Sequence, residues 1–195
     1  MRFRLTYEGQ LQAGGGREHK HELRKRFHEQ LRHLWSVHPG LRMLGATGDL
    51  KYSFPKHAPK VAWLAEHYER FGYAFVPLVL EEQRVYCSID ILMLRPDLPG
   101  TLIRSADLDN RVKTILDALR IPSSQSELGK SGAPDASEIP FFCLLEDDKL
   151  VSHLAVEADT LLDPIPETKH PENDVRLLIT VEIRPYILQT GNMHF

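Results

Sequence analysis

The spacing of apolar residues divides the first part of the chain into one strand and two helices. Apolar and polar residues alternate over residues 1–8, which predicts a strand with one buried face. From about Arg17 to Val37 the apolar positions recur every three or four residues, and basic residues and histidines fill most of the others. This spacing predicts an amphipathic helix with a positively charged outer side. A second helix is predicted over residues 56–70.

The later part of the chain combines strand patterns with one further helix. Residues 73–80 and 84–95 favour two strands, which we predict to form an antiparallel hairpin. Pro77 would place the first of them at a sheet edge or at a bulge, because proline lacks the N–H that a central strand donates. An apolar stripe predicts a helix from Asp109 to Arg120. The remaining strand segments are 141–145, 149–157 and 175–184.

Together these elements predict a single α+β domain spanning residues 1–195. In it, a mixed, largely antiparallel sheet would pack against two or three helices. The 121–140 segment is rich in Ser, Pro and Gly, a composition typical of a mobile connection. Connections of this length without regular structure are uncommon within a domain and tend to be functional or disordered. We therefore expect a long flexible insertion at about 121–140.

Charge is distributed unevenly along the chain. The net charge is −3, but residues 1–60 hold 12 Lys and Arg against 5 Asp and Glu, while residues 61–195 hold 12 against 22. A basic segment of this kind favours binding to a polyanion such as DNA, although the solvated face of an ordinary helix gives the same pattern. The residues of the predicted basic helix that would contact DNA phosphates are Arg17, Lys20, Arg24, Lys25, Arg26 and Arg32.

Several classes of protein are disfavoured by the sequence. No segment approaches the roughly 18 apolar residues of a membrane span, and the first residues lack the apolar run of a signal peptide. We therefore expect a soluble, cytoplasmic protein without a membrane partner. Cys87 and Cys143 fit neither a disulfide framework nor a zinc site and are interpreted as buried thiols. The sequence predicts a polar helix face that includes His19, His21, His28 and His33. It places Trp35 and Trp63 in apolar stripes.

Acidic residues concentrate at two points of the chain. On an extended backbone residues i and i+2 share a face, so Asp107 and Asp109 are expected side by side just before the helix, with Asp109 as its N-cap. Glu146-Asp147-Asp148 stands before a strand, where like charges repel one another unless a cation neutralises them. Carboxylates of this kind bind hard divalent cations such as Mg²⁺. An acidic turn and a capped helix with an Asp109, Lys113, Asp117 ladder would explain the same residues without a metal.

The two acidic segments also resemble a known family. DLDNRVKTILDALR at 107–120, followed by EDDKLV at 146–151, is similar to the signature of the RusA family of Holliday-junction resolvases, and the resemblance covers roughly residues 85–184. It implies a RusA-like fold, a homodimer, and paired symmetric nicks in four-way DNA junctions. It also implies that Mg²⁺, with Mn²⁺ as a possible substitute, is bound by Asp107, Asp109 and Asp148, with Asp147 as a supporting or alternative ligand and Lys113 as the catalytic lysine.

The leading hypothesis is therefore a Mg²⁺-dependent, structure-selective endodeoxyribonuclease. A bound cation would activate a water molecule and polarise the phosphate, while Lys113 would stabilise the charge that develops in the transition state. Two other hypotheses stay open. One is a non-catalytic DNA-binding module of the same fold, and the other is a metal phosphohydrolase that acts on small substrates.

Overall fold

The structure is a computed structural model that describes residues 1–45, 52–53, 58–97, 107–129, 133–166 and 170–195, with the backbone alone at residues 52, 53, 58, 59 and 107. Its α-helices are α1 (Arg17–Val37), α2 (Pro39–Arg42), α3 (Val61–His67) and α4 (Asp107–Leu119). Its strands are β1 (Arg2–Gln10), β2 (Tyr52–Ser53), β3 (Ala58–Pro59), β4 (Glu69–Arg70), β5 (Tyr73–Val79), β6 (Val85–Arg95), β7 (Phe141–Leu145), β8 (Val151–Thr160) and β9 (Asp174–Pro185). The α+β class is confirmed.

The main sheet has four strands in the order β1-β9-β6-β8. β9 pairs antiparallel with both β1 and β6, whereas β6 and β8 run parallel. The sheet is thus mixed and largely antiparallel, as predicted. β6 shows why its sequence makes such a strand, because its alternate residues from Val85 to Arg95 are buried and those between them are exposed or half-buried.

β5 belongs to a different sheet, so the predicted hairpin of β5 and β6 is wrong. The order of this second sheet is β4-β5-β7, and β5 runs parallel to β7. All residues of β5 except Ala74 are buried, which is typical of a strand covered on both faces, whereas β6 alternates. β4 pairs only with Tyr73 and Ala74 of β5, so the strand that pairs with β5 at Pro77 is β7. β5 is therefore an edge strand at this position, where proline is tolerated.

α1 matches its predicted bounds and packs on the core with a wide stripe. Besides the predicted Leu23, Phe27, Leu31 and Trp35, this stripe buries His21, Arg24 and His28. The interpretation of His21 and His28 as members of the polar face is therefore wrong. The other predicted helix is shorter than 56–70, since α3 spans Val61–His67; residues 56 and 57 lie outside the described residues. Trp63 within α3 is partly buried against the core.

The described parts of the 121–140 segment contain regular turns, whereas the sequence predicts a long flexible insertion there. Its described parts, 121–129 and 133–140, contain the 3₁₀ turns Gln125–Leu128 and Ala136–Glu138. A capping box between Asp135 and Glu138 closes the second turn. Polar groups in these parts form ion pairs and hydrogen bonds with side chains of α1. Electrostatic as well as apolar contacts therefore hold them in place.

The two cysteines are free and buried, as predicted. Burial raises the pKa of each thiol to about 12, which makes them unreactive at neutral pH. None of the described helices combines the length and the apolar character needed to cross a membrane.

Candidate active site

The first acidic segment lies in the first turn of α4. The helix begins at Asp107, so the backbone of residues 107–109 is helical. The prediction that Asp109 is the N-cap, beside Asp107 on an extended backbone, is therefore wrong. Asp109 is exposed to solvent, and so is Lys113 one turn further along the helix. The side chain of Asp107 lies outside the described residues.

Arg111 fixes the position of this first turn. Its side chain is buried, and its Nη2 donates to Asn173 Oδ1 at 3.2 Å. The backbone carbonyl of the neighbouring Glu172 accepts a 2.8 Å hydrogen bond from Arg95, the last residue of β6. Asn173 directly precedes β9. α4 therefore starts at the end of the main sheet where β6 ends and β9 begins.

The second acidic segment is the connection between β7 and β8. Glu146 Oε2 accepts the backbone N–H of Glu81 at 3.0 Å, and Asp147 Oδ1 accepts that of Lys149 at 2.9 Å. Asp147 thereby caps the 3₁₀ turn Asp148–Leu150. Glu146 and Asp147 thus have the turn and cap roles that a metal-free explanation requires. Asp148 is exposed and is not accounted for in this way.

The two acidic segments lie near opposite ends of β6. Asp148 shortly precedes β8, whose first residue, Val151, pairs with Cys87 near the start of β6. The first turn of α4 lies instead beside Arg95, where β6 ends. Eight residues of strand separate Cys87 from Arg95, a span of about 26 Å. Asp109 and Asp148 are therefore attached far apart within one chain.

This separation bears on the predicted metal ion. Among the side chains that are described, no three His, Cys, Asp or Glu residues are grouped closely enough to hold a metal. That set includes Asp109, Asp147 and Asp148 but not Asp107. Carboxylate oxygens are the ligands that Mg²⁺ prefers, so the chemistry of the donors fits the ion. One chain, however, supplies these donors at two separate places.

Asp117 does not continue a ladder from Lys113. Its Oδ2 accepts a 2.7 Å hydrogen bond from Lys20, and its Oδ1 accepts one of 3.0 Å from Arg120. Burial raises the pKa of Asp117, but the hydrogen bond and charge of Lys20, together with Arg120, outweigh it and hold the pKa below its usual value. The metal-free explanation of Lys113 as a link of that ladder therefore loses its second carboxylate.

The predicted DNA-binding residues of α1 divide into paired and exposed ones. Lys20 and Lys25 form ion pairs, at 2.7 and 2.8 Å, with carboxylates of α4 and of the 121–140 segment. Arg32 is exposed but donates to a backbone carbonyl of the same segment at 3.0 Å. Arg17 and Arg26 are exposed. Much of the basic excess of α1 is thus neutralised by the acidic part of the chain.

Arg24 cannot belong to a phosphate-binding face. It is 1% exposed, and its Nη2 donates to the backbone carbonyl of Asp117 at 2.7 Å. Its Nη1 donates to the carbonyl of Glu127 at 3.3 Å. Burial lowers its pKa, although a guanidinium stays protonated at neutral pH. The prediction of DNA contact is wrong for this residue, which joins α1 to α4 and to the 121–140 segment.

His21 and His28 complete this buried polar interface. His28 Nδ1 accepts the backbone N–H of Phe142 at 2.8 Å, so its Nε2 donates to the carbonyl of Ser137 at 3.1 Å. Burial, reinforced by Arg24 and Lys25, lowers the pKa of His21 to about 4. Both rings are therefore neutral at pH 7. The spacing of residues 21, 24 and 28 by three and four was the sequence signal for a second buried stripe.

A groove of about 690 Å³ lies between α1 and the solvent-facing side of the main sheet. Leu92, Leu94 and Leu178 form its apolar floor, and Arg26 and Glu29 stand at its α1 side. No residue of the two acidic segments lines it. This groove is therefore separate from the candidate active site.

Comparisons of the chain with protein-family models, with curated proteins and with solved structures gave no significant match. The family resemblance therefore rests on the residues of the two acidic segments.

Proposed function

We propose that the protein is a Mg²⁺-dependent endodeoxyribonuclease that cuts branched DNA, and four-way junctions in particular, as the family that it resembles does. The proposal rests on the exposure of Asp109 and Asp148. Other carboxylates of the fold, such as Asp117 and Glu138, are paired with basic residues. Exposed carboxylates on ordered elements are available to an ion and a substrate, whereas paired ones are not.

The roles of the residues follow from the resemblance and from their chemistry. Asp107, Asp109 and Asp148 would hold the ion, with Asp147 in support. The ion would lower the pKa of a bound water molecule and polarise the phosphate that is cut. Lys113 is exposed on the helix that carries Asp109, and it would stabilise the negative charge of the transition state.

Two chains are required for this site. Because the acidic segments lie near opposite ends of β6, Asp109 would act together with Asp148 of the partner subunit. A two-fold symmetric dimer then carries two equivalent sites. A four-way junction presents two equivalent strands, and paired symmetric nicks follow from that match.

DNA would be held by the cations of α1 that the fold leaves exposed. These are Arg17, Arg26 and Arg32. Lys20 and Lys25 are already paired within the chain and would contribute less. Binding through phosphates weakens steeply as salt is raised, since counterions are released on association.

Incubation of the protein with a synthetic four-way junction and with linear duplex of the same sequence, with and without Mg²⁺, tests the proposal. We expect cutting of the junction only when Mg²⁺ is present. Asp109→Asn and Asp148→Asn should each reduce the rate by about 100-fold or more, since each removes a metal ligand. Glu66→Gln is the matched control, because it removes one exposed negative charge from α3 and should leave the rate unchanged.

Mixing the two inactive variants tests the two-chain site directly. In a mixed dimer one site carries both substitutions and the other carries neither, so one of its two sites becomes active again. Recovery of single nicks supports a site shared between chains, and no recovery contradicts it. Junction binding without cutting would favour the non-catalytic module. Hydrolysis of small phosphoesters without any preference for branched DNA would favour the phosphohydrolase.

A further inference from the structure

A 3₁₀ turn just before β9 lies beside the start of α4. The turn spans Pro171–Asn173. The backbone carbonyl of Asn173 accepts the N–H of Leu11 at 2.8 Å, and its own N–H donates to the carbonyl of His170 at 2.9 Å. These two bonds fix the main chain of Asn173, so its side-chain amide is held at a defined place in the fold.

The side-chain oxygen of Asn173 binds a buried cation of α4. Arg111 is 3% exposed, and its Nη2 donates to Asn173 Oδ1 at 3.2 Å. Because burial removes water from the guanidinium, the acceptors that it meets in the protein stabilise it and determine its direction. The bond to Asn173 therefore helps to determine where Arg111 points.

The direction of Arg111 determines how the first turn of α4 is rotated about the helix axis. Successive residues of a helix are about 100° apart, so residues two positions apart point to opposite sides. Asp109 and Lys113 each lie two positions from Arg111, and both are exposed. They are four positions from each other and are therefore neighbours on the outer side. With Arg111 buried, both residues of the candidate active site face solvent.

Apolar packing holds the later turns of α4 more firmly than the first one. Ile115 and Leu119 are completely buried in the core. Leu108, in the first turn, is only partly buried. The terminal turn of a helix also frays more readily, because its first N–H groups lack partners within the helix. The first turn therefore depends on the polar contact of Arg111 more than the rest of α4 does.

We propose that Asn173 is a positioning residue of the candidate active site, which holds Asp109 and Lys113 in place through Arg111. The inference rests on the proposed function, since that function gives Asp109 and Lys113 their roles. Residues that orient metal ligands without binding the ion themselves change metal affinity when they are replaced. Asn173 should therefore influence the response of the protein to Mg²⁺, although it is not itself a ligand.

Three variants test the inference. Asn173→Leu removes the acceptor but keeps the approximate shape of the side chain, and the main-chain bonds of Asn173 do not depend on that side chain. Asn173→Asp is the conservative variant, because a carboxylate still accepts from Arg111. Gln30→Met is the matched control. The amide of Gln30 joins α1 to Thr6 of β1, at 2.9 and 2.7 Å, so this change also removes an amide contact between a helix and the main sheet.

Cutting of a four-way junction over a series of Mg²⁺ concentrations separates positioning from stability. Asn173→Leu should raise the Mg²⁺ concentration for half-maximal cutting about tenfold and change the rate at saturating Mg²⁺ much less. A merely structural role would reduce the amount of active protein, and hence the rate at every Mg²⁺ concentration, without moving the half-maximal point. Asn173→Asp and Gln30→Met should keep the half-maximal concentration of the unmodified protein.

Hydrogen exchange measures the first turn without DNA or Mg²⁺. In an α-helix the amides of residues 111–114 donate to the carbonyls of residues 107–110, so their exchange reports opening of this turn. In Asn173→Leu these amides should exchange about tenfold faster, as expected for the loss of one hydrogen bond to a charged group. Gln30→Met should leave their exchange unchanged.

The two measurements distinguish failure of this inference from failure of the proposed function. An unchanged half-maximal Mg²⁺ concentration in Asn173→Leu, or unchanged exchange at residues 111–114, would overturn the inference. Loss of the Mg²⁺ response in Asn173→Asp to the same degree as in Asn173→Leu would overturn it too, because the acceptor is kept there. Absence of Mg²⁺-dependent cutting by the unmodified protein would instead contradict the proposed function, and hydrogen exchange would still decide whether Asn173 holds the first turn.

Discussion

The interface of α1, α4 and the 121–140 segment and the pair of acidic segments both concentrate charge, but they treat it in opposite ways. In the interface the cations Lys20, Arg24 and Lys25 are each bonded to an acidic residue or a carbonyl. In the acidic segments Asp109 and Asp148 are exposed. In the first region charged side chains hold secondary-structure elements together. In the second region the carboxylates remain exposed to solvent.

The difference follows from the energetics of burial. A buried charge that lacks a partner is expensive, and the fold accordingly brings backbone carbonyls to the buried guanidinium groups of Arg24 and Arg95. An exposed carboxylate needs no protein partner, because water solvates it. Its position can therefore be determined by a function such as metal binding. A count of charges along the chain does not separate the two cases.

The largest effect should come from Arg24→Met. This change keeps much of the side-chain volume but leaves the backbone carbonyls of Asp117 and Glu127 without the donor that Arg24 supplies. Loss of one member of a buried charged network costs about 3–5 kcal/mol of unfolding free energy. Urea unfolding followed by circular dichroism measures it.

Arg26→Met, on the exposed side of the same helix, is the control for Arg24. Its unfolding free energy should change by no more than about 0.5 kcal/mol, as for other surface substitutions. Equal losses in the two variants would show that the buried interface has no special role in stability.

Acid should weaken the interface through its histidines. The pKa of His21 is about 4, below its ordinary value of 6.5, because burial, Arg24 and Lys25 disfavour the charged ring. Between these two pH values the unfolded chain binds more protons than the folded one, so stability falls as pH is lowered from about 6.5 to about 4. The loss attributable to His21 is on the order of 2–3 kcal/mol. The lowered pKa of His28 acts in the same direction.

Urea midpoints measured at pH 7 and pH 4.5 test this dependence. His21→Phe should reduce the difference between the two midpoints, whereas His33→Gln, at an exposed position of the same helix, should leave it unchanged. The carboxylates Asp117 and Glu138, whose pKa values are lowered, lose their contribution only at more acidic pH. A midpoint difference that His21→Phe leaves intact would assign the acid sensitivity elsewhere.

Local sequence patterns predict much of the secondary structure, but the long-range strand pairings do not follow from them. α1 and β6 have strong periodicities, and both have nearly the predicted bounds. The predicted hairpin of β5 and β6 is wrong because strands that are adjacent in sequence need not pair, and β5 is buried on both sides. The 121–140 segment was predicted to be mobile from its composition. In its described parts Glu127 and Glu138 bind Arg24 and Lys25 of α1, partners that lie more than 100 residues away in sequence.

The candidate site shows the same limit. The residue types and their spacing indicated carboxylate chemistry, but the assumption that both segments meet in one chain needed the topology of the sheet. β8 runs parallel to β6, so the segment before it returns to the start of that strand. The first turn of α4 lies at the other end, beside Arg95. No local pattern records that distance.

Asp117 and Asp109 lie on the same helix, α4, and their substitution should change the unfolding free energy by different amounts. This difference should be smaller than the effects described above. Asp117→Asn removes the negative charge that Lys20 and Arg120 share, and it should cost about 1–2 kcal/mol of unfolding free energy. Asp109→Asn should cost no more than about 0.5 kcal/mol, because Asp109 is exposed. Urea unfolding of the two variants gives both values. A large loss for Asp109→Asn would show that this residue stabilises the helix, and its effect on DNA cutting would then no longer indicate a catalytic role.

The smallest effect concerns the cations of α1 and the salt dependence of DNA binding. A cation that contacts a phosphate adds about 0.7–0.9 to the slope of log affinity against log salt. Arg26→Gln should therefore reduce the slope by about this amount, because Arg26 is exposed. Lys20→Gln should change the slope much less, because Lys20 is bonded to Asp117 at 2.7 Å. Fluorescence anisotropy with a labelled junction across a series of salt concentrations measures both slopes. If Lys20→Gln lowered the slope as much as Arg26→Gln, the ion pairs of the interface would have to open on DNA, and the division between paired and available charge would not hold in the complex.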